Sequence, residues 1–411
     1  MASLLTLGTI VYGTVYAQSV EQKYIHVLAP RMLILPQNNL GSALQQTGFR
    51  QSDLLMVYGS SEILVGDVRV VKQYASTGII IESTTMGASQ FFLHYPTGFE
   101  VYEIARGGVT SLDIAQDLAA IGPELRGKKV VISFTPSMFI DNEVTPDAYA
   151  SDFSTLHANA LIFNPNLSLE TKRIAAGRMN DYPETLKNDP TLRFAVQQLS
   201  CACGYSPILY DLTWPLGQFN IWIIRLQDHW EVINYITNHP SLSPQVVREP
   251  KPIDWSKDIS EAMTGEKMVT NSNPYGIRND IWEAKYSKTP ALPMKPGSSN
   301  FGFILGMDDS KEWADFDLTL RVLKEMGAQP LILSRPLNGP ILDAMGVTWQ
   351  ARQEYYFKLQ NAVSPYGFPI VDFVNQDGNP YFSIDQISHP SPVGWVYTDQ
   401  TLDAFFHGTI H

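Results

Sequence analysis

Asp53-Leu54-Leu55-Met56-Val57-Tyr58-Gly59-Ser60-Ser61-Glu62 decides the fold. An apolar run of strand length stops abruptly at a glycine and two hydroxyls. A serine at the C-terminal end of a buried parallel strand stands where open α/β sheets bind ligands. A nucleophilic serine needs that exposed, backbone-supported position and a histidine base within reach. The candidate base is His389, far downstream in Asp385-Gln386-Ile387-Ser388-His389. An early nucleophile and a late carboxylate-histidine cluster is one of the chain orders in which triads recur. Taken alone, Gly59-Ser60-Ser61 reads as a strand followed by a polar turn, because short motifs match often by chance.

Working outward, four more strands are expected at Phe99–Ala105, Lys128–Phe134, Pro330–Ser334 and Phe368–Phe373. Helical patterns fall between them at Ser111–Leu125, Lys311–Gly327 and Gln350–Val363, with Gly327 as a C-terminal cap. Strands alternating with helices predict a parallel sheet covered on both faces, and five of them fit a flavodoxin-like order. Ser61, Gly108, Thr135, Ser137 and His389 all fall at the C-terminal ends of strands or just beyond. The α/β rhythm lapses between about 140 and 298, which reads as a large, mainly helical insertion. Its stretch Ile208–Ile236 is strongly apolar but is interrupted by Asp211, Arg225, Asp228 and Glu231. A buried or interfacial helix pair suits it better than a membrane span. The insertion's tryptophans could line a partner interface, and core packing is their default role.

The 411 residues exceed the usual single core, and 44% hydrophobic with 17% charged residues describes a globular chain. A net charge of −12 argues against a nucleic-acid partner, whose binding rests on Lys and Arg contacts to phosphate. Two cysteines, Cys201 and Cys203, are too few for a disulfide framework or a structural zinc site. No metal-ligand spacing appears among the eight histidines, and no cofactor is expected.

Met1 to Val20 carries no charged side chain. An anchor at 1–20, a cleaved signal and an apolar strand compete for this stretch, and its length favours the anchor. The expected layout is then a membrane segment at 1–20, a stem at 21–52 and an extracytoplasmic domain at 53–411.

Several blocks carry a family resemblance. They are Gly59-Ser60-Ser61-Glu62-Ile63, Arg106-Gly107-Gly108-Val109-Thr110-Ser111-Leu112 and Pro136-Ser137-Met138-Phe139. In the C-terminal third they are Arg335-Pro336-Leu337-Asn338-Gly339, Gly367 to Phe373, Pro380-Tyr381-Phe382, His389 and Gly394-Trp395. Together they resemble the DltD family of teichoic-acid D-alanylation proteins. The resemblance implies an SGNH-hydrolase-like, three-layer α/β/α fold held at the cell membrane outside the cytoplasm. It implies D-alanylation of lipoteichoic or wall teichoic acid, with a membrane-bound O-acyltransferase as partner and an acyl carrier protein acting indirectly. It implies Ser61 as nucleophile and His389 as base, with Ser61, Gly108 and Thr110 around the oxyanion. Glu62, Ser137 and Trp395 become candidate substrate contacts. The family's acid usually stands three residues before the histidine, where this chain has Gln386 and the acid is Asp385 instead. Either a one-residue bulge brings Asp385 into the role, or the site is a Ser-His dyad, or the chemistry is lost. An exopolysaccharide esterase or O-acetyltransferase, and a scaffold with a degenerate site, are the competing functions.

Overall fold

The computed structural model describes residues 2–28, 42–64, 87–140, 146–200, 207–240, 249–287, 292–385 and 389–410. Cys201, Cys203 and Gln386 lie outside them. Five strands form one sheet: β1 Leu54–Gly59, β2 Glu100–Ala105, β3 Lys129–Phe134, β4 Gln329–Ser334 and β5 Ile370–Val371. All neighbouring pairs are parallel, and the order is β2-β1-β3-β4-β5. Chain order reverses beside β1, so the C-terminal ends of β1 and β3 flank the crevice that such sheets use for ligands.

The period of two along each strand divides the core into two layers. Met56, Tyr58, Val130, Ile132 and Phe134 pack on one face. Residues of Ser111–Ile121, Glu312–Met326 and Trp349–Val363 cover them. Leu55, Val57, Val131, Leu331 and Leu333 pack on the other face, under Gly87–His94 and Pro392–Phe406. The result is the expected α/β architecture with helices on both sides. Gly327 ends its helix at φ 73°, and its N–H donates to the Leu323 and Lys324 carbonyls. That is the cap expected from the sequence, in the left-handed region that glycine enters without a Cβ penalty.

β5 is shorter than its apolar pattern suggested. Pro369 brings no N–H to the ladder, and the Asp372 carboxylate accepts the Val374 N–H at 3.1 Å, turning the chain at once.

The N-terminal segment and the insertion add to the expected layout. The N-terminal segment is a helix, Ala2–Leu28, and among the described residues no helix is long and apolar enough to cross a membrane. Thr6, Thr9, Gly13 and Thr14 dilute its apolar run, and Glu21 interrupts it. Its second half is built into the protein. Ile25, Val27 and Leu28 join the main core, and fully buried Glu21 holds His229 Nδ1 at 2.6 Å and accepts the Thr47 hydroxyl at 3.3 Å. Part of the expected stem is therefore core.

One correction concerns three of the insertion's tryptophans. Ile208–Ile236 lies within a single 32-residue helix, Pro207–Asn238. Tyr210, Ile221, Asp228 and Val232 form its buried side, while Ile208, Leu212, Phe219, Trp222 and Trp230 form an exposed stripe on the other side. Trp214, Trp222 and Trp230 are thus surface residues, because the helix spends its inner face on smaller side chains.

Candidate active site

The site is assembled from the loops at the C-terminal ends of β1, β2 and β4 together with the loop before the last helix. β1 ends at Gly59, and a short helix, Ser61–Leu64, starts on Ser61. The Ser60 hydroxyl donates to the Arg106 carbonyl at 3.4 Å, joining this turn to the glycine block that follows β2. Gly108 is exposed and sits at φ 86°, a conformation that a side chain rarely adopts. The N–H groups of Ser61 and Gly108 donate to no acceptor among the described residues. Two unspent amides beside one turn are what a tetrahedral oxyanion needs.

Thr110 is not a third donor. It caps the helix Ser111–Ile121, and both its N–H (3.0 Å) and its hydroxyl (2.8 Å) go to the Asp113 carboxylate. Its part is to end the glycine block and start the helix. Arg106 ties the same block to the insertion through Asp152 at 3.2 Å and Asp117 at 3.5 Å, and Asp117 in turn meets His157 at 2.5 Å. The sequence marked Arg106 only as the first residue of the glycine block. Its partners lie 11 and 46 residues onward, so no local pattern announces them.

His389 and Asp385 meet as expected. His389 Nδ1 lies 2.6 Å from Asp385 Oδ2, and the His389 backbone N–H donates to Asp385 Oδ1 at 3.1 Å. A short antiparallel closure absorbs the four-residue spacing. Ser383 bridges Pro390, and the Ile384 N–H donates to the His389 carbonyl at 3.0 Å. Asn338, after β4, donates to the Asp385 carbonyl at 3.1 Å and holds the loop from outside. Asp372 and Asp399 do not contact the imidazole; Asp372 takes the Gln360 amide at 2.7 Å instead.

With Nδ1 committed to Asp385, Nε2 is the nitrogen left for a substrate or a serine. Glu62, the residue after Ser61, acts on His389 through its charge, which brings the β1 turn and the histidine loop into one electrostatic neighbourhood. The Ser61 hydroxyl forms no hydrogen bond to His389 among the described residues. Resting sites of this kind are often loose and tighten when substrate binds.

The hydrogen bond to Asp385 raises the His389 pKa above 6.5, against the opposing effect of burial. The raised value means that the Asp385–imidazolium contact stabilises the fold fully below the unfolded-state pKa and loses that effect as pH rises through the folded value. A general base works in its neutral form. The rate of any Ser61-dependent reaction is therefore expected to fall on acidification with a midpoint above 6.5, read from a pH–rate profile.

Two candidate substrate contacts are buried instead. Glu62 has no exposed surface, and Trp395 is 1% exposed beneath the site, its ring 5.3 Å from the Arg335 guanidinium. Gly87 packs so closely on Trp395 that a Cβ there would come within 2.2 Å of the ring. Trp395→Ala is expected to cost about 3–5 kcal/mol of stability, read from denaturant unfolding. Ser137 stays half-buried after β3, its hydroxyl 2.9 Å from that of Thr135. The insertion adds two groups that sequence reading missed. Lys285 and Tyr286 end a π-helical turn, Trp282–Tyr286, and act electrostatically on His389 and with Asp385 respectively. Such turns often mark functional sites. Among the described residues no cluster of His, Cys, Asp or Glu could hold a metal ion.

Residues 33–407 match the family model described as DltD protein. The chain belongs to the DltD family. It is 27% identical to Protein DltD of Bacillus subtilis (strain 168) over 373 residues, covering 89% of this chain and 86% of that protein. It is 23% identical to Protein DltD of Staphylococcus aureus (strain NCTC 8325 / PS 47) over 369 residues, covering 90% and 85%. It is 24% identical to Protein DltD of Lacticaseibacillus rhamnosus over 291 residues, covering 69% and 66%. As a DltD protein, this chain keeps its Asp385–His389 contact although the acid stands four residues before the histidine.

Proposed function

We propose that this DltD-family chain is a serine acyltransferase or esterase acting outside the cytoplasm in D-alanylation of teichoic acid or a related surface polymer. The observation that carries the reading is the Asp385–His389 pair, 2.6 Å apart, in the electrostatic neighbourhood of the turn that bears Ser61. Asp385 fixes the imidazole with Nε2 as acceptor. Ser61 Oγ attacks the carbonyl carbon of an acyl ester as its proton passes to Nε2. The negative charge that forms on the carbonyl oxygen meets the Ser61 and Gly108 N–H groups. Collapse expels the donor's alkoxide, which takes the proton from His389 and leaves an acyl-Ser61. A polymer hydroxyl then attacks by the reverse sequence and frees the serine.

A membrane-bound O-acyltransferase is the proposed partner, with the acyl carrier protein acting through it. The exposed Ile208-to-Trp230 stripe supports contact with such an apolar neighbour. Mass spectrometry of surface polymers from a strain lacking this chain tests the function. Loss of D-alanyl ester is expected. Full D-alanylation with another acyl group missing would favour the exopolysaccharide esterase or O-acetyltransferase reading.

A further inference from the structure

The Gly59-Ser60-Ser61-Glu62 turn contains a clamp that the reaction above does not use. The buried Glu62 carboxylate folds back over the end of β1, where the Ser60 N–H donates to both its oxygens at 3.1 Å. A Cβ on Gly59 would stand 2.5 Å from Glu62 Oε1, so the glycine leaves the room that the carboxylate fills. A carboxylate without solvent needs an opposing charge. Arg335, at the end of β4 and 1% exposed, attracts it without forming a direct ion pair and partly offsets the burial that raises the Glu62 pKa. Arg335 is itself held in part, its buried Nε and Nη2 having no hydrogen-bond partner among the described residues. Its Nη1 donates to the Thr398 hydroxyl, its backbone N–H donates to the Phe134 carbonyl at 3.0 Å, and its guanidinium lies over Trp395.

We propose that Glu62 and Arg335 are positioning residues: Glu62 clamps the Ser60-Ser61 turn and presents its charge to His389, and Arg335 keeps that charge in place. The proposal rests on the reading of Ser61 and His389 as nucleophile and base. The charges facing His389 are Asp385 on its own loop, Glu62 from the β1 turn and Lys285 from the insertion. Glu62 and Asp385 favour the imidazolium, and Lys285 opposes it. Arg335 faces Glu62, and Glu62, Asp399 and Glu103 face Arg335. Removing the Glu62 charge therefore moves the His389 titration to lower pH and weakens the base. Removing the Arg335 charge raises the proton affinity of Glu62 and shifts His389 the same way indirectly.

The test measures, in the full chain, the pH dependence of covalent labelling by a fluorophosphonate, with His389 titrated by NMR alongside. Glu62→Gln keeps an oxygen for the Ser60 N–H but loses the charge. Its acid limb is expected to move down by about half a pH unit or more. Arg335→Met is expected to move it in the same direction, the double variant no further, and Arg335→Lys to stay close to wild type. An unshifted limb and an unshifted His389 titration in folded Glu62→Gln would overturn the proposal. Should Arg335→Met not fold, the NMR titration of Glu62→Gln decides by itself. A wild-type chain that resists labelling would overturn the nucleophile reading instead; the His389 titration then still judges the Glu62 clamp.

Discussion

Ser61→Ala is expected to abolish fluorophosphonate labelling and to cut acyl transfer by a factor on the order of 10⁶, the scale seen when a serine nucleophile is removed. Ser61 begins a four-residue helix directly after β1, and its hydroxyl forms no hydrogen bond within the described fold. The exchange should therefore leave thermal unfolding almost unchanged, which separates loss of chemistry from loss of structure. Retained surface-polymer acylation in a strain carrying only Ser61→Ala would move the function from catalysis to scaffolding. The exposed stripe of Pro207–Asn238 would then be the part to study.

Asp385→Asn is expected to lower the same rate by about 10⁴, the scale for the acid of a serine triad. An asparagine keeps the Oδ1 that accepts the His389 backbone N–H, so the loop should hold. What it loses is the carboxylate at Nδ1, 2.6 Å away, which selects the tautomer and stabilises the imidazolium. The rate loss should come with a downward shift of the acid limb, because the Asp385 hydrogen bond is the largest influence raising the His389 pKa. An undiminished rate in Asp385→Asn would leave a Ser-His dyad. Gln386→Ala with a large loss would give the orienting role to the glutamine.

Much of this was legible because the physics is local. Leu54 to Tyr58 reads as a strand buried on both faces, since an unbroken apolar run cannot offer one face to water. The alternation of such runs with helical periodicity was enough for the parallel sheet, and Gly327 marked its helix end by chemistry alone. Where a contact is distant the chain gives no sign of it. The helix that begins in the uncharged first twenty residues runs on into the core, where Glu21 finds His229, 208 residues away. Trp214, Trp222 and Trp230 read as core by default because their type is usually well buried. Only the helix's packing shows that its inner side is already filled by Tyr210, Ile221 and Val232.

The sequence by itself determined the sheet and the strand-end serine, because apolar period and turn chemistry are properties of neighbours along the chain, and it left the partner of His389 open until the structure put Asp385 at 2.6 Å. Tertiary structure decided the rest. It made Thr110 a helix cap, buried Trp395, and buried Glu62 with its carboxylate on the Ser60 N–H. Those roles depend on which distant groups share a space without water. Burial and charge pairing across 273 positions, from Glu62 to Arg335, leave no periodicity for a sequence to display.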